Sequence, residues 1–386
     1  MADALNFPEN FLWGSATSAY QVEGGLDNCD WSKEFPAGKA CDHYHKYSED
    51  FDLLEELNLN AYRFSLAWSR IEPEPGEFDQ QEIEHYRKVL QDLKSRDITT
   101  MVTLHHFTTP LWLSEKGGWA NSKVASYFPR YAKKMVEEYQ DLVDYWATIN
   151  EPFVYLGESY LAGEWPPQRR NPYLALKVIY NQLKSHKKAY QEMHEADSEA
   201  KVGIVTNNQY SEGNRNFLDE FCAKTMNYFI NDWFLNRVDS EMDFIGLNYY
   251  FHNKVKFPYR VDNENEKTTD MGWEIYPEGI YHVLKGLQKY NKPVFITENG
   301  LADAEDQYRK EFIKNHLRWV HKGIEEGVDV RGYLHWSLMD NFEWADGYNP
   351  RFGLLEVDYD SLERKIRDSA RYYAQIAKSN SLTMER

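Results

Sequence analysis

Eight short runs of apolar and aromatic residues recur along this chain of 386 residues, and their spacing restricts the fold more than any other feature. They are Phe11–Thr17, Ala61–Trp68, Thr99–His106, Asp144–Glu151, Lys201–Asn208, Asp243–Tyr250, Pro293–Gly300 and Val330–Leu338, and their starts lie 50, 38, 45, 57, 42, 50 and 37 residues apart. Such runs suit strands buried on both faces, as in a parallel sheet. Between them the period becomes helical. Ile83, Tyr86, Leu90 and Leu93 form one apolar face, with Asp79 and Glu82 as a capping-box pattern ahead of it. Ile313, Leu317, Val320 and Ile324 read the same way, as do Leu176, Ile179, Leu183, His186 and Tyr190. Eight strands alternating with helices predict an α/β fold, a (β/α)8 TIM barrel of one domain over residues 1–386. The rival, a doubly wound sheet, should carry a glycine-rich phosphate turn, and no G-x-G-x-x-G or P-loop occurs. No Gly/Ser-rich or Pro-rich linker divides the chain, and the polar segment Val261–Asp270 reads as a surface loop.

Charge narrows the ligands. With 44 Lys and Arg against 62 Asp and Glu, the net charge is −18, which disfavours nucleic acid and polyanionic substrates. No apolar run approaches the ~20 residues of a membrane span, and Met1–Tyr20 lacks the charged and apolar regions of a signal peptide. Three cysteines, Cys29, Cys41 and Cys222, are no disulfide framework and fit a reducing, cytoplasmic setting. Cys29, Cys41, His43 and His45 match no zinc spacing, so no metal is expected there, and His43–His45 is read as a helix start. Lys184–Lys188 reads as a largely solvated helix face. The 12 Trp and 28 Tyr suggest a surface that stacks on neutral polar ligands, although many of these rings must be core.

A barrel gathers its chemistry at the C-terminal ends of its strands. Here those ends are polar: His105-His106, Asn150-Glu151, Asn207-Asn208, Asn248-Tyr249-Tyr250 and Glu298-Asn299, with Trp336 in the eighth run and Arg63 inside the second. Neighbours on a strand face opposite ways, so only one of His105 and His106 should reach a ligand. Burying carboxylates and a guanidinium is costly unless they are paired. Glu151 and Glu298 lie 147 residues apart, and a barrel would set them across one mouth. Two carboxylates flanking one bond is what glycoside hydrolysis requires, one protonated and one ionised. Position alone does not assign the two roles.

These residues sit in segments that resemble glycoside hydrolase family 1 along nearly the whole chain. The resemblance rests on Phe11–Glu23, on Tyr62–Ser65 leading to Trp68–Ile71, on Thr148–Pro152, on Ile296–Gly300 and on Trp336–Trp344. It implies a retaining β-glycosidase. Glu298 would be the nucleophile and Glu151 the acid and base. Arg63 and Tyr250 would hold the Glu298 carboxylate, and Asn150 would bind the 2-hydroxyl. Gln21, His106, Glu343 and Trp344 would bind the outer hydroxyls, Trp336 would be the stacking floor, and Trp273 would line the aglycone entrance. Retention implies carboxyl groups about 5–5.5 Å apart. The partners implied are small-molecule β-glycosides, with terminal glucosides first and galactosides or fucosides also in view. No cofactor is implied, and oligomeric state is left open.

Glu343 opposes the 6-phosphoglycosidase branch, since a carboxylate repels phosphate, and Glu151 opposes the thioglucosidase branch, which lacks that acid. A silent glycan- or protein-binding barrel is the reading from another class; such relatives usually lose one glutamate. Phe107-Thr108 and Phe153 depart from the family's usual residues, on the glycone and aglycone sides respectively. The chain is also shorter than most members, so trimmed mouth loops and an aglycone side open to varied leaving groups are expected.

Overall fold

A computed structural model describes residues 3–384. Eight parallel strands close into a barrel, each within one of the runs above: β1 (Leu12–Ala16), β2 (Ala61–Ser65), β3 (Thr99–His105), β4 (Tyr145–Asn150), β5 (Val202–Asn207), β6 (Phe244–Asn248), β7 (Val294–Asn299) and β8 (Val330–Trp336). Neighbours in sequence are neighbours in the barrel, and β8 pairs with β1 to close it. This is the (β/α)8 TIM barrel. Its lower interior is plugged by Met101, Phe244 and Phe295, the two rings meeting edge-on at 5.5 Å. This plug lies toward the N-terminal ends of the strands, opposite their polar C-terminal ends.

Eight longer helices follow in chain order: α1 (His43–Glu56), α2 (Gln80–Ser95), α3 (Val124–Tyr139), α4 (Pro172–Ala196), α5 (Phe217–Asn227), α6 (Glu278–Leu287), α7 (Arg309–Glu325) and α8 (Asp368–Ser379). The fifth crossover is irregular. α5 packs on a small outer sheet of Tyr210–Gly213, His252–Lys256 and Arg260–Val261, while buried Leu235 and Val238 of a short helical turn contribute to the core. Val261–Asp270 is largely exposed, as expected of a surface loop.

α2 buries Ile83, Tyr86, Leu90 and Leu93 as its spacing requires. Only half of its capping box forms. The Asp79 carboxylate accepts from the N–H groups of Gln81 at 2.8 Å and Glu82 at 3.3 Å. The Asp79 N–H donates instead to Ile71 O, and Glu82 accepts from the Tyr44 hydroxyl. Asp79→Ala should therefore lower stability by about 1 kcal/mol, measured by chemical denaturation, while Glu82→Gln should leave the cap intact.

Two readings of α4 need correction. Leu176 is 58% exposed, because the buried stripe of α4 runs through Ala175, Ile179, Gln182 and His186. The Lys184–Lys188 run is not simply solvated: Ser185 and His186 are buried, and His186 bonds to the Thr148 hydroxyl at 2.7 Å and to Glu241 O. His43 opens α1 and pairs with Asp50 at 2.7 Å. No three His, Cys, Asp or Glu side chains among the described residues are grouped to hold a metal. All three cysteines are buried and unpaired, and no described helix is long and apolar enough to cross a membrane.

Candidate active site

At the polar end of the barrel lies a cavity of about 760 Å³. Glu151 and Glu298 both line it, each almost fully buried. Register explains how they meet. Asn207, Asn248 and Glu298 form one row across β5, β6 and β7, and the Glu151 N–H donates to Val205 O of β5 at 2.9 Å. Strand closure thus converts residues far apart in sequence into neighbours.

The two carboxyl groups have different surroundings. Arg63, wholly buried, donates from Nη1 to Glu298 Oε1 at 2.5 Å, from Nη2 to Asn150 Oδ1 at 2.6 Å and from Nε to Thr103 Oγ1 at 3.0 Å. The Tyr250 hydroxyl donates to Glu298 Oε2 at 3.0 Å. Glu298 therefore has a cation on one oxygen and a hydroxyl on the other. Glu151 has only neutral donors: Asn248 Nδ2 at 2.7 Å and Asn207 Nδ2 at 3.1 Å, both to Oε1. Burial, with the Glu298 charge behind it, raises the Glu151 carboxyl to about 8. Burial raises Glu298 too, but Arg63 and the Tyr250 hydrogen bond oppose it. The arrangement keeps the proton on Glu151 and the charge on Glu298.

Part of the cavity wall is aromatic. Trp336 lines the cavity, and the His106 ring stacks with Trp336 at 5.9 Å and with Trp344 at 6.0 Å. Burial holds His106 well below the usual imidazole range, so it is neutral. Its Nε2 accepts from Asn150 Nδ2 at 3.3 Å, which leaves Nδ1 without a protein partner. His105 points the other way and accepts from the Trp119 indole at 2.9 Å. Glu343 lines the cavity, is raised to about 8 by burial and neighbouring carboxylates, and accepts from Gln21 Nε2 at 3.3 Å. Trp273 lines the outer side against Tyr250, at 5.8 Å, and Phe251, at 4.8 Å.

Not every expected residue touches the cavity. Arg63 and Asn150 stand behind Glu298 and His106, and Gln21 is wholly buried behind Glu343, its amide also donating to Asn341 Oδ1 and Phe342 O. The sequence alone assigns no role to Asn207, Asn248, Thr103 or the lining ring of Trp165, although both asparagines end strands at the level of the two glutamates.

Backbone geometry sharpens the site. Glu151, Phe107 and Trp344 hold left-handed φ values of 46°, 67° and 49°. Such non-glycine conformations cost about 1–3 kcal/mol each and persist where surrounding packing imposes them. After Glu298-Asn299, the chain needs Gly300, since a Cβ there would lie 1.8 Å from Trp336 O.

Comparison with known proteins agrees with this architecture. The model of Glycosyl hydrolase family 1 matches residues 4–240 and 235–382. The 1,4-beta-D-glucan glucohydrolase of Thermotoga neapolitana is 37% identical, with 98% of this chain and 99% of the relative covered. Their alignment runs over 440 positions against 386 residues here, so the relative carries segments this chain lacks. A beta-glycosidase structure from Pyrococcus horikoshii superposes with a TM-score of 0.93 at 40% identity, covering 99% of this chain and 97% of that one. A 6-phospho-beta-galactosidase from Clostridium acetobutylicum is 30% identical, with 98% of each chain covered. The barrel, the paired glutamates and these matches together place the chain in glycosyl hydrolase family 1, a family of β-glycosidases.

Proposed function

We propose that the protein is a retaining β-glycosidase that removes terminal β-glucosyl residues from short oligosaccharides or from aryl and alkyl glycosides. The observation that carries this reading is the asymmetry of the two carboxyl groups, Glu298 paired to Arg63 and Tyr250 and Glu151 kept protonated by burial. In the first step a Glu298 oxygen bonds to the anomeric carbon while the bond to the leaving oxygen breaks, and Glu151 gives that oxygen its proton. In the second, Glu151 takes a proton from water, the water oxygen bonds to the anomeric carbon, and Glu298 leaves. His106 Nδ1 and the Glu343 carboxyl offer a donor and acceptors to outer hydroxyls, and Asn150, held by Arg63, orients His106. Trp336 and Trp344 would stack on the sugar and Trp273 on the aglycone, with Gln21 orienting Glu343.

The described cavity lining includes five carboxyl groups and neither lysine nor arginine, so it offers no cation to pair with a phosphate, which supports an uncharged sugar over a phosphorylated one. Retention of both glutamates supports an enzyme over a silent binding barrel. Three buried, unpaired cysteines support a reducing, cytoplasmic setting.

Incubation with an activated 2-deoxy-2-fluoro-β-glucoside is expected to place one fluoroglucosyl group on Glu298, read by intact and peptide mass spectrometry. An adduct on another residue would overturn the assignment of the nucleophile. No adduct with the glucose, galactose, mannose and fucose reagents alike would overturn the enzymatic reading.

A further inference from the structure

A buried histidine that the mechanism does not use stands beside the cavity. His252 opens the outer-sheet strand His252–Lys256, and its side chain is wholly buried. Its Nδ1 donates to Glu274 Oε2 at 2.6 Å, and its Nε2 faces Glu212 Oε1 at 3.5 Å. Its ring stacks with Tyr276 at 3.8 Å and with Tyr210 at 5.6 Å. Glu274 gathers two further donors, Asn263 Nδ2 at 2.9 Å and the Asn265 N–H at 3.3 Å. Asn263 in turn donates to His252 O at 2.7 Å and accepts from the Lys254 N–H at 2.7 Å. One carboxylate thus ties the strand to the segment that runs from 261 to 275.

The residues on either side of this contact form part of the cavity wall. Phe251 and Asn253 flank His252 and line the cavity, and Trp273, next to Glu274, lines it too. The Trp273 ring packs on Phe251 at 4.8 Å. Residues 261–270 are largely exposed, so little apolar burial fixes this segment. Two of its ion pairs, Lys254–Glu264 and Lys267–Glu311, lie at the surface and hold little. A buried His–Glu contact is a costly way to supply stability alone, since apolar residues of similar volume do that as well or better. What a directional contact adds is register. In extended backbone a slip of one residue turns each side chain to the opposite face, and here it would take Trp273 out of the wall.

We propose that the hydrogen bond from His252 to Glu274 is a positioning element of the enzyme, fixing the segment around Trp273 against the strand so that the indole meets the aglycone of a bound β-glycoside. Neither His252 nor Glu274 lines the cavity, and both act through Trp273. This role rests on the glycosidase reading above, with Trp273 on the aglycone side.

Two variants separate the hydrogen bond from the ring stack. His252→Phe keeps a ring against Tyr276 and cannot donate to Glu274. His252→Asn loses the stack and keeps a donor within reach of Glu274. His252→Phe is expected to lower kcat/KM for 4-nitrophenyl β-glucoside by about tenfold or more, a scale that small misplacements near the chemistry reach. Methyl β-glucoside, whose aglycone is too small to reach the indole, should stay within about twofold. His252→Asn should remain close to wild type on both substrates. Equal losses on both substrates would overturn the proposal, as would no loss in His252→Phe or a loss as large in His252→Asn. A His252→Phe chain that does not fold would make the contact a structural one and overturn it as well. A crystal structure of His252→Phe keeps the question apart from the activity. If Trp273 has moved off Phe251, the positioning role stands even where no tested β-glycoside is a substrate, and if the ring is unmoved, it falls.

Discussion

Glu298→Gln is expected to lower kcat/KM for an aryl β-glucoside by roughly 10⁵-fold, the scale on which loss of a covalent nucleophile is felt. The amide nearly preserves volume and still accepts one hydrogen bond, so the loss is chemical rather than structural. Arg63 makes the experiment more informative. It is wholly buried, and its Nη1 is paired to Glu298. Neutralising Glu298 leaves a buried cation without its counter-ion, a change that costs about 3–5 kcal/mol in comparable pairs. Glu298→Gln should therefore melt earlier than the wild type. Glu298→Ala opens space beside the same cation and the Tyr250 hydroxyl, where added formate or azide should bind. Either anion would restore turnover of a substrate with a good leaving group and give a product of inverted configuration. Those results would separate nucleophile from acid, because an anion that replaces Glu151 gives a product of retained configuration. A Glu298→Gln variant within tenfold of wild-type activity would remove Glu298 from the mechanism.

The sequence shows the barrel because every strand is buried on both faces, so each reads as an apolar run whatever surrounds it. Strand ends at the open mouth are also visible, because polar groups that close an apolar run are costly to bury unless a partner or a ligand meets them. What stays hidden depends on closure. Asn248 of β6 reaches Glu151, which follows β4, across the intervening β5, and no local pattern announces a donor that crosses strands. Gln21 has the residue type of a sugar ligand, but its amide is held by Asn341 and Phe342 in the loop after β8, which turns it behind Glu343. Helical periodicity misplaces Leu176 for a related reason. Spacing identifies a face, and only packing decides that the face follows Ala175 and Ile179 instead. The missing reciprocal half of the α2 cap has the same origin, since Tyr44 of α1 competes for Glu82.

Replacing Glu151 should have an effect whose size depends on the substrate. Glu151→Ala is expected to lower kcat/KM by about 10²–10⁴-fold for a methyl or cellobiosyl substrate, the usual range for a general acid. It should change the first step far less for a dinitrophenyl glucoside, whose leaving group departs without a proton. The intermediate then waits on a water that lacks its base, so azide should accelerate turnover of that substrate. Equal losses on both substrates would remove Glu151 from the acid role. The pH profile supplies a second test. Glu151 is held to about 8 by burial and by the Glu298 charge, and the acid must be protonated, so the rate should fall as pH rises through that region. Glu151→Gln should lose Glu151's share of this alkaline limb, while Glu343, also held to about 8, keeps its own. The same shift has a stability consequence. The native chain keeps a proton that the unfolded chain releases near the ordinary carboxyl range, so this proton's contribution to stability is complete below that range and is lost progressively as pH climbs to about 8. Glu151→Gln removes that dependence. Its melting temperature should therefore gain on the wild type between about pH 5 and pH 8, with no further gain above. A gap that stays constant across this interval would mean that Glu151 is ionised in the native state, which would leave the first step without its proton.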